Sequence, residues 1–416
     1  MIQAYLVLED CTVFPGEAFG HPPINPEELA LRETFGATPA NPEEPGERVG
    51  GPWGVGEVVF NTAMTGYHEI LTDPSYTGQI VVMTYPHIGN YGTSGNWSET
   101  GPESGAHRRK IKPEGLVVRS LYRGPLPKGR GNLDEFLLEH GIPGMTGVDT
   151  RGLTLHLRKR GSLTGIIVGN PGKPLHTDDI YNARNFPAGM LDRIIGFLRG
   201  FPHMAGRNLV DKVGTRERVE LNHSGSPHVA LLDCGIKAGI INQLLSRGCR
   251  ITLFPGTTEA ENILAAKPDG FVISNGPGDP AVLDTQIKTV RKMLRHTPTL
   301  GICLGHQLIA LAAGAKTYKL KFGHHGTNHP VRDEQTRHVF VTSQNHGFAV
   351  DEASLPEGLG VWFRNANDQT IEGLRGEKIK ALSVQFHPEA APGPDDTGWI
   401  FDRFLASIEK RTSMNI

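Results

Sequence analysis

Cysteine is scarce in this chain: four occur in 416 residues, at positions 11, 234, 249 and 303. Their spacing matches no metal-ligand pattern, and a large chain of this kind keeps its thiols reduced, which excludes a disulfide framework and a zinc site. No apolar run approaches the about 20 residues that a membrane-spanning helix needs. Residues 1–10 lack the charged lead and apolar stretch of a signal peptide, so a soluble, cytoplasmic protein is expected. Neither sign of charge prevails, with 42 Lys and Arg against 44 Asp and Glu. That balance offers no footprint for nucleic acid or an anionic membrane surface. A Walker-type Gly-rich loop followed by Lys and Ser or Thr is also missing, and with it the usual cradle for ATP phosphates. No internal repeat is present.

A chain of this length exceeds one ordinary domain, and two are expected. Residues 1–170 read as a mixed, β-rich α/β domain, with short apolar runs at 4–8, 55–61 and 79–84 separated by Gly, Pro and Asp turns. Within it, 21–52 is rich in Pro, Glu and Gly, has one brief helical pattern at 27–34, and reads as a surface insertion. Residues 171–226 read as a connecting segment with helical patterns near Ala183 and Leu191. From 227 to 416 the rhythm changes. Strand patterns at 229–233, 250–254, 270–274 and 299–302 alternate with helical spacing at 239–246, 259–267 and 283–295. Such alternation predicts a doubly wound, mostly parallel sheet with helices on both faces and a ligand site beyond the carboxyl ends of its strands.

At that edge Gly301-Ile-Cys-Leu-Gly305 has the small-x-nucleophile-x-small form of a nucleophile elbow, between a strand and the apolar helix pattern 304–313. Glycines on either side permit a tight turn. The helix aims its first N–H groups and positive dipole end at the Cys303 sulfur, which favours the nucleophilic thiolate. Cys234 and Cys249 read instead as inert packing thiols.

The base is sought in Ala381-Leu-Ser-Val-Gln-Phe-His-Pro-Glu389. Read as one strand, it puts Ser383, Gln385, His387 and Glu389 on one face and Leu382, Val384 and Phe386 on the other. Pro388 keeps the segment extended, so the Glu389 carboxylate can hold one nitrogen of His387 while the other faces the thiol. In an esterase-like hydrolase the acid would precede the histidine in a separate loop, so that reading is disfavoured. The loop Ser274-Asn-Gly-Pro-Gly-Asp-Pro280 ends the strand before the elbow strand, and its N–H groups, with that of Leu304, could stabilise an oxyanion. The 18 histidines include a cluster at 324, 325 and 329. No acidic residue at ligand spacing accompanies it, and no metal is assigned.

Gly301-Ile-Cys-Leu-Gly-His-Gln307 with His387-Pro-Glu389 resembles the class I, triad-type glutamine amidotransferases over the C-terminal half. In the N-terminal half, the stretch from Gly56 to Tyr76 and Thr84-Tyr-Pro-His-Ile-Gly-Asn-Tyr-Gly92 resemble the domain peculiar to carbamoyl-phosphate synthetase small subunits. Val148-Asp-Thr-Arg-Gly-Leu-Thr154, Phe322-Gly-His-His-Gly326 and the stretch from Gln344 to Asp351 match that family too, and the insertion at 21–52 departs from it. The resemblance implies Cys303 as nucleophile, His387 as acid-base and Glu389 as orienter, with Gly278 and Leu304 as oxyanion donors. It implies that Ser75, Gly276, Gly278, Leu304, Gln307, Asn345, Gly347 and Phe348 line a site for L-glutamine. Ser75 would bring that site near a domain interface.

The family further implies release of glutamate and ammonia, and passage of the ammonia to a large subunit that makes carbamoyl phosphate for arginine and pyrimidine synthesis. ATP and Mg are expected on that large subunit and no cofactor on this chain. The two would form a heterodimer, alone or gathered into a higher assembly. Two other readings compete: a stand-alone cysteine hydrolase such as a peptidase or amidase, and a catalytically silent regulatory subunit on the same fold.

Overall fold

The computed structural model describes residues 2–26, 54–95, 97–102, 111–169 and 189–414. Most of the proposed insertion, its helical pattern at 27–34 and the helical pattern near Ala183 lie outside the described residues. The chain divides into two compact units, one of Met1–Thr72, Tyr76–Ser98 and Arg109–Met204, the other of Asp73–Ser75, Glu99–Arg108 and Ala205–Ile416.

The first unit is built on β1 (Gln3–Leu8), β2 (Val13–Gly20), β3 (Val55–Asn61), β4 (Gln79–Met83), β6 (Gly115–Val117), β8 (Pro143–Thr146) and β9 (Leu163–Gly169), with a small parallel pair, β5 (His87–Ile88) and β7 (Ser120–Leu121). The seven longer strands close into a barrel in the order β1-β2-β8-β6-β4-β3-β9. Closure explains why β3 and β4 are buried along their whole length, the polar Glu57, Asn61 and Gln79 included. Val59, Tyr67, Leu71, Val81, Met83 and Leu116 form one core cluster of the unit.

The segment 171–226, expected as a connection, is instead divided between the units. Helix Met190–Gly200 buries Met190, Ile194, Ile195 and Leu198, a stripe at helical spacing that packs with Tyr5, Val7 and Val168 of β1 and β9. Covering that apolar surface makes it part of the first unit. Residues from Ala205 onward belong to the second.

The second unit carries a ten-stranded sheet of β10 (Val219–Leu221), β11 (His228–Asp233), β12 (Arg250–Pro255), β13 (Gly270–Ile273), β14 (Thr299–Ile302), β15 (Lys316–Asp333), β16 (Val339–Asp351), β17 (Gly360–Asn365), β18 (Ile371–Gly376) and β19 (Ala381–Val384). Its order is β10-β12-β11-β13-β14-β19-β18-β17-β15-β16. The five strands β12, β11, β13, β14 and β19 are mutually parallel, and antiparallel strands flank them on both sides. The five parallel strands are the doubly wound sheet that the alternating pattern implied, and the antiparallel strands beside them make the sheet as a whole mixed. Helix Leu304–Ala313 sends Leu304, Leu308, Ile309 and Ala312 into one core cluster with Ile273 and Phe271. Helix Trp399–Met414 sends Ile400, Phe401, Phe404 and Ile408 into another with Val272, Leu300 and Val384.

Phe404 is fully buried among those chains. Phe404→Ala should lower the free energy of unfolding in urea by about 3–5 kcal/mol, the cost of an unfilled core site. A loss under about 1 kcal/mol would show that this face of the sheet does not depend on the helix.

Candidate active site

Cys303 stands alone between the end of β14 and the start of helix Leu304–Ala313, at φ 54° and ψ −103°, a conformation that non-glycine residues rarely adopt. Its neighbours explain how the turn is tolerated. A Cβ on Gly305 would lie 2.2 Å from the Ile273 carbonyl oxygen, and one on Gly301 would lie 2.5 Å from that of Gly305. The Cys303 N–H donates to Val384 O at 2.8 Å, and the Gly305 N–H donates to Ser274 O at 3.1 Å. Cys303 O accepts from the N–H groups of His306 and Gln307. Of the first four N–H groups of the helix, that of Leu304 alone has no backbone acceptor among the described residues.

β19 is shorter than the sequence pattern suggested. Its pairing with β14 ends at Val384, where β14 gives way to the elbow. The chain then turns, and His387 donates its N–H to Ser343 O at 2.9 Å. Strand alternation therefore does not bring His387 and Glu389 together; the turn does, with His387 Nδ1 2.7 Å from Glu389 Oε1. His387 Nε2 is buried without a hydrogen-bond partner, and Cys303 lies close enough to favour the protonated ring. Burial alone would push the imidazole down, but the Glu389 carboxylate overrides it and raises it to about 10. Burial would likewise raise Glu389, yet Lys237 and His387 hold it down at about 2.

Lys237 had no signal in the sequence. Its Nζ is buried 3.1 Å from Glu389 Oε1 and 3.8 Å from Glu99, and it donates to Ala390 O at 2.5 Å. Burial pushes the Glu99 carboxyl up to about 7 against the pull of Lys237.

Among the residues implied for glutamine, Asn345 meets the Cys303 thiol directly and Gln307 reaches it through Gln385. Gly276 packs so tightly that a Cβ would meet Cys234 O at 2.1 Å, and Gly278 sits at φ +95°. Ser75, whose segment clusters with the second unit, accepts from Asn275 Nδ2 at 2.9 Å. Asn345 and Phe348, with Gly347 between them, lie on β16. Asn345 Nδ2 donates to Asp73 Oδ2 at 3.0 Å, and the Cys303 thiol donates to Asn345 O at 3.6 Å. Gln307 Nε2 donates to Phe348 O at 2.9 Å and to Gln385 Oε1 at 3.0 Å. Asp73, Asn275 and Gln385 are the neighbours that spacing did not single out as site residues.

The other sequence-marked groups resolve differently. Burial pushes the thiols of Cys234 and Cys249 up, the latter to about 11, and all four cysteines are free. His306 donates to or accepts from Ser383 Oγ at 2.9 Å and is held neutral by burial, which pushes it down to about 3. Of the histidine cluster, His325 turns to Asn345 Oδ1 at 2.9 Å, while His324 meets Asp368 at 2.8 Å and Glu372 at 3.4 Å. His324, His346 and Glu372 each offer a ligand atom within 4.8 Å of the others, the one such group among the described residues. Burial would push His324 down, but the two carboxylates raise it to about 10. His324 is thus paired with two carboxylates, those of Asp368 and Glu372.

A cysteine on a strained strand-to-helix turn of a doubly wound sheet, with an imidazole and carboxylate past the end of the adjoining strand, makes the second unit a doubly wound α/β domain with a candidate thiol site. The class-I glutamine amidotransferase family matches residues 230–407, and the CPSase domain of the carbamoyl-phosphate synthase small chain matches residues 44–167. Carbamoyl phosphate synthase small chains from Methanopyrus kandleri (43% identical, 97% of this chain and 99% of the relative), Chlorobaculum tepidum (42%, 98% and 98%) and Archaeoglobus fulgidus (42%, 98% and 99%) align along nearly the whole length. The chain belongs to the family of carbamoyl phosphate synthase small chains, the family its motifs resemble, and its glutamine amidotransferase domain makes it a glutaminase subunit. No helix among the described residues is long and apolar enough to cross a membrane.

The ion pair has a pH signature. Glu389 is depressed from 4.5 to about 2, so its contribution is present above the unfolded value and lost as pH falls through about 2. His387 is raised from 6.5 to about 10, so its contribution is complete below 6.5 and lost as pH rises through about 10. Between pH 6.5 and 10 the urea midpoint should therefore fall more steeply for the wild type than for His387→Gln. Parallel slopes would mean that the ring is not held protonated in the fold.

Proposed function

We propose that this chain hydrolyses L-glutamine to glutamate and ammonia through a γ-glutamyl thioester on Cys303. The family-specific role falls to the first unit, expected as 1–170 and extended by helix Met190–Gly200, and the glutaminase role to the second, expected as 227–416 and continuous from Ala205. The observation that carries the reading is the paired His387 and Glu389 beside a thiol held on a strained elbow. A protonated imidazole facing sulfur favours thiolate, the form that attacks a carboxamide carbon. The tetrahedral oxyanion is received by the N–H groups of Gly278 and Leu304; the unused Leu304 amide suits that role. His387 gives its proton to the departing ammonia, then takes one from the water that hydrolyses the thioester. Glu389 holds the ring and stabilises its charge, and Lys237 in turn fixes the carboxylate.

Ser75, Gly276, Gln307, Asn345, Gly347 and Phe348 orient the glutamine. Because the Gln307 amide nitrogen is engaged with Phe348 and Gln385, its carbonyl oxygen is the group left to receive a donor from the substrate. The ammonia passes to a large subunit, partnered as a heterodimer in the cytoplasm, where ATP and Mg support synthesis of carbamoyl phosphate for arginine and pyrimidines. This chain needs no cofactor for its own half of the reaction.

Glutamate release should be measured for the wild type and Cys303→Ser, alone and with the large subunit. The substitution is expected to lower turnover more than about a thousandfold, as loss of a nucleophile does, and wild-type release should be matched by carbamoyl phosphate in the complex. Equal rates for the two forms would refute the thioester route.

A further inference from the structure

Gln385 follows β19 directly and is fully buried, so each end of its carboxamide needs a partner. The hydrogen-bond network determines which end points where. Phe348 O can only accept, so the Gln307 end that meets it at 2.9 Å must be its amide nitrogen. That nitrogen also faces Gln385 at 3.0 Å, which requires the oxygen of Gln385 there. The nitrogen of Gln385 is then obliged to face the remaining neighbour, Cys303 Sγ, at 3.7 Å. The Gln385 main-chain N–H donates to Glu372 O at 2.8 Å and anchors the residue from behind. The thiol meanwhile has its own acceptor in Asn345 O at 3.6 Å.

Taking Cys303 as the nucleophile, as the proposed function does, we propose that Gln385 is a further catalytic residue, whose carboxamide N–H donates to the Cys303 sulfur and holds it as an oriented thiolate. A hydrogen bond to a charged acceptor is about twice as strong as one to a neutral acceptor. The thiol loses its bond to Asn345 on ionising, whereas the bond from Gln385 strengthens. Gln385 therefore acts on the sulfur from a direction independent of His387. It also joins the sulfur to Gln307 and Phe348, two residues assigned above to glutamine.

The test uses the complex of this chain with its large subunit, and reads both glutamine turnover and the rate at which iodoacetamide alkylates Cys303, followed on the Cys303 peptide across pH. Gln385→Met keeps the volume and removes the donor. Relative to wild type it should slow alkylation at neutral pH about tenfold, move the alkylation profile to higher pH and lower kcat by about tenfold, the cost of one charge-assisted hydrogen bond. KM for glutamine should stay within about threefold. Gln385→Glu, which sets a carboxylate against the sulfur, should slow alkylation further. An alkylation profile unmoved in Gln385→Met, or a Gln385→Glu form that alkylates as fast as wild type, overturns the proposal, even if thermal stability and kcat both fall. A wild type that alkylates at Cys303 yet releases no glutamate counts against the proposed function instead, and leaves the alkylation comparison to decide Gln385.

Discussion

The backbone of Cys303 is held in a conformation that its side chain disfavours, and the geometry of the site follows from that constraint. Strain of this kind costs about 1–3 kcal/mol and persists only where the surroundings over-determine it. Here the surroundings are the neighbouring parallel strands: Val384 O takes the Cys303 N–H and Ser274 O takes the Gly305 N–H. Glycine at 301 and 305 lets those backbones approach to distances that no side chain would allow. The result lifts one sulfur out of the sheet edge with the first helical amide beside it. It also ends β14, which removes the pairing partner of β19 and releases the chain that carries His387 and Glu389.

A second constraint is charge in a dry interior. Lys237, Glu389 and His387 are all nearly inaccessible, and burying ions is unfavourable unless each is paired and hydrogen-bonded. Lys237 supplies the compensation: its ammonium lies between two carboxylates and a carbonyl. With Glu389 held ionised, the imidazole is held protonated, and the protonation states that the proposed chemistry requires are prepared by electrostatics before any substrate arrives. At the His324 cluster the balance falls the other way: the imidazole meets Glu372 at 3.4 Å, yet burial still pushes that carboxyl up.

Much of this was legible in the sequence, for reasons that differ by element. The strands 55–61 and 79–83 and the alternation after 227 announced themselves because buried parallel strands are apolar on both faces. The elbow was legible because its chemistry is local, a glycine on each side of a cysteine where a strand pattern meets a helix pattern. His387 and Glu389 were found for a reason only half right: the residues belong together, but a turn joins them, and strand alternation would have carried the reading past the point where β19 has a partner. The helix Met190–Gly200 was read as a connector because an amphipathic stripe does not say which surface it covers.

By itself the sequence determined the family and the doubly wound sheet, and it marked Cys303, His387 and Glu389 as candidates, since each rests on local periodicity or on long contiguous motifs. Only the tertiary structure decided that Glu99 and Glu389 would both meet Lys237, that Asp73 and Ser75 would meet Asn345 and Asn275, and that the amide of Gln385 would face Cys303. These partners lie up to 272 positions apart in the chain of 416 residues, counting from Asp73 to Asn345. Contacts between groups so distant leave no periodic trace, because folding, and not spacing, brings them within hydrogen-bonding or ion-pairing range.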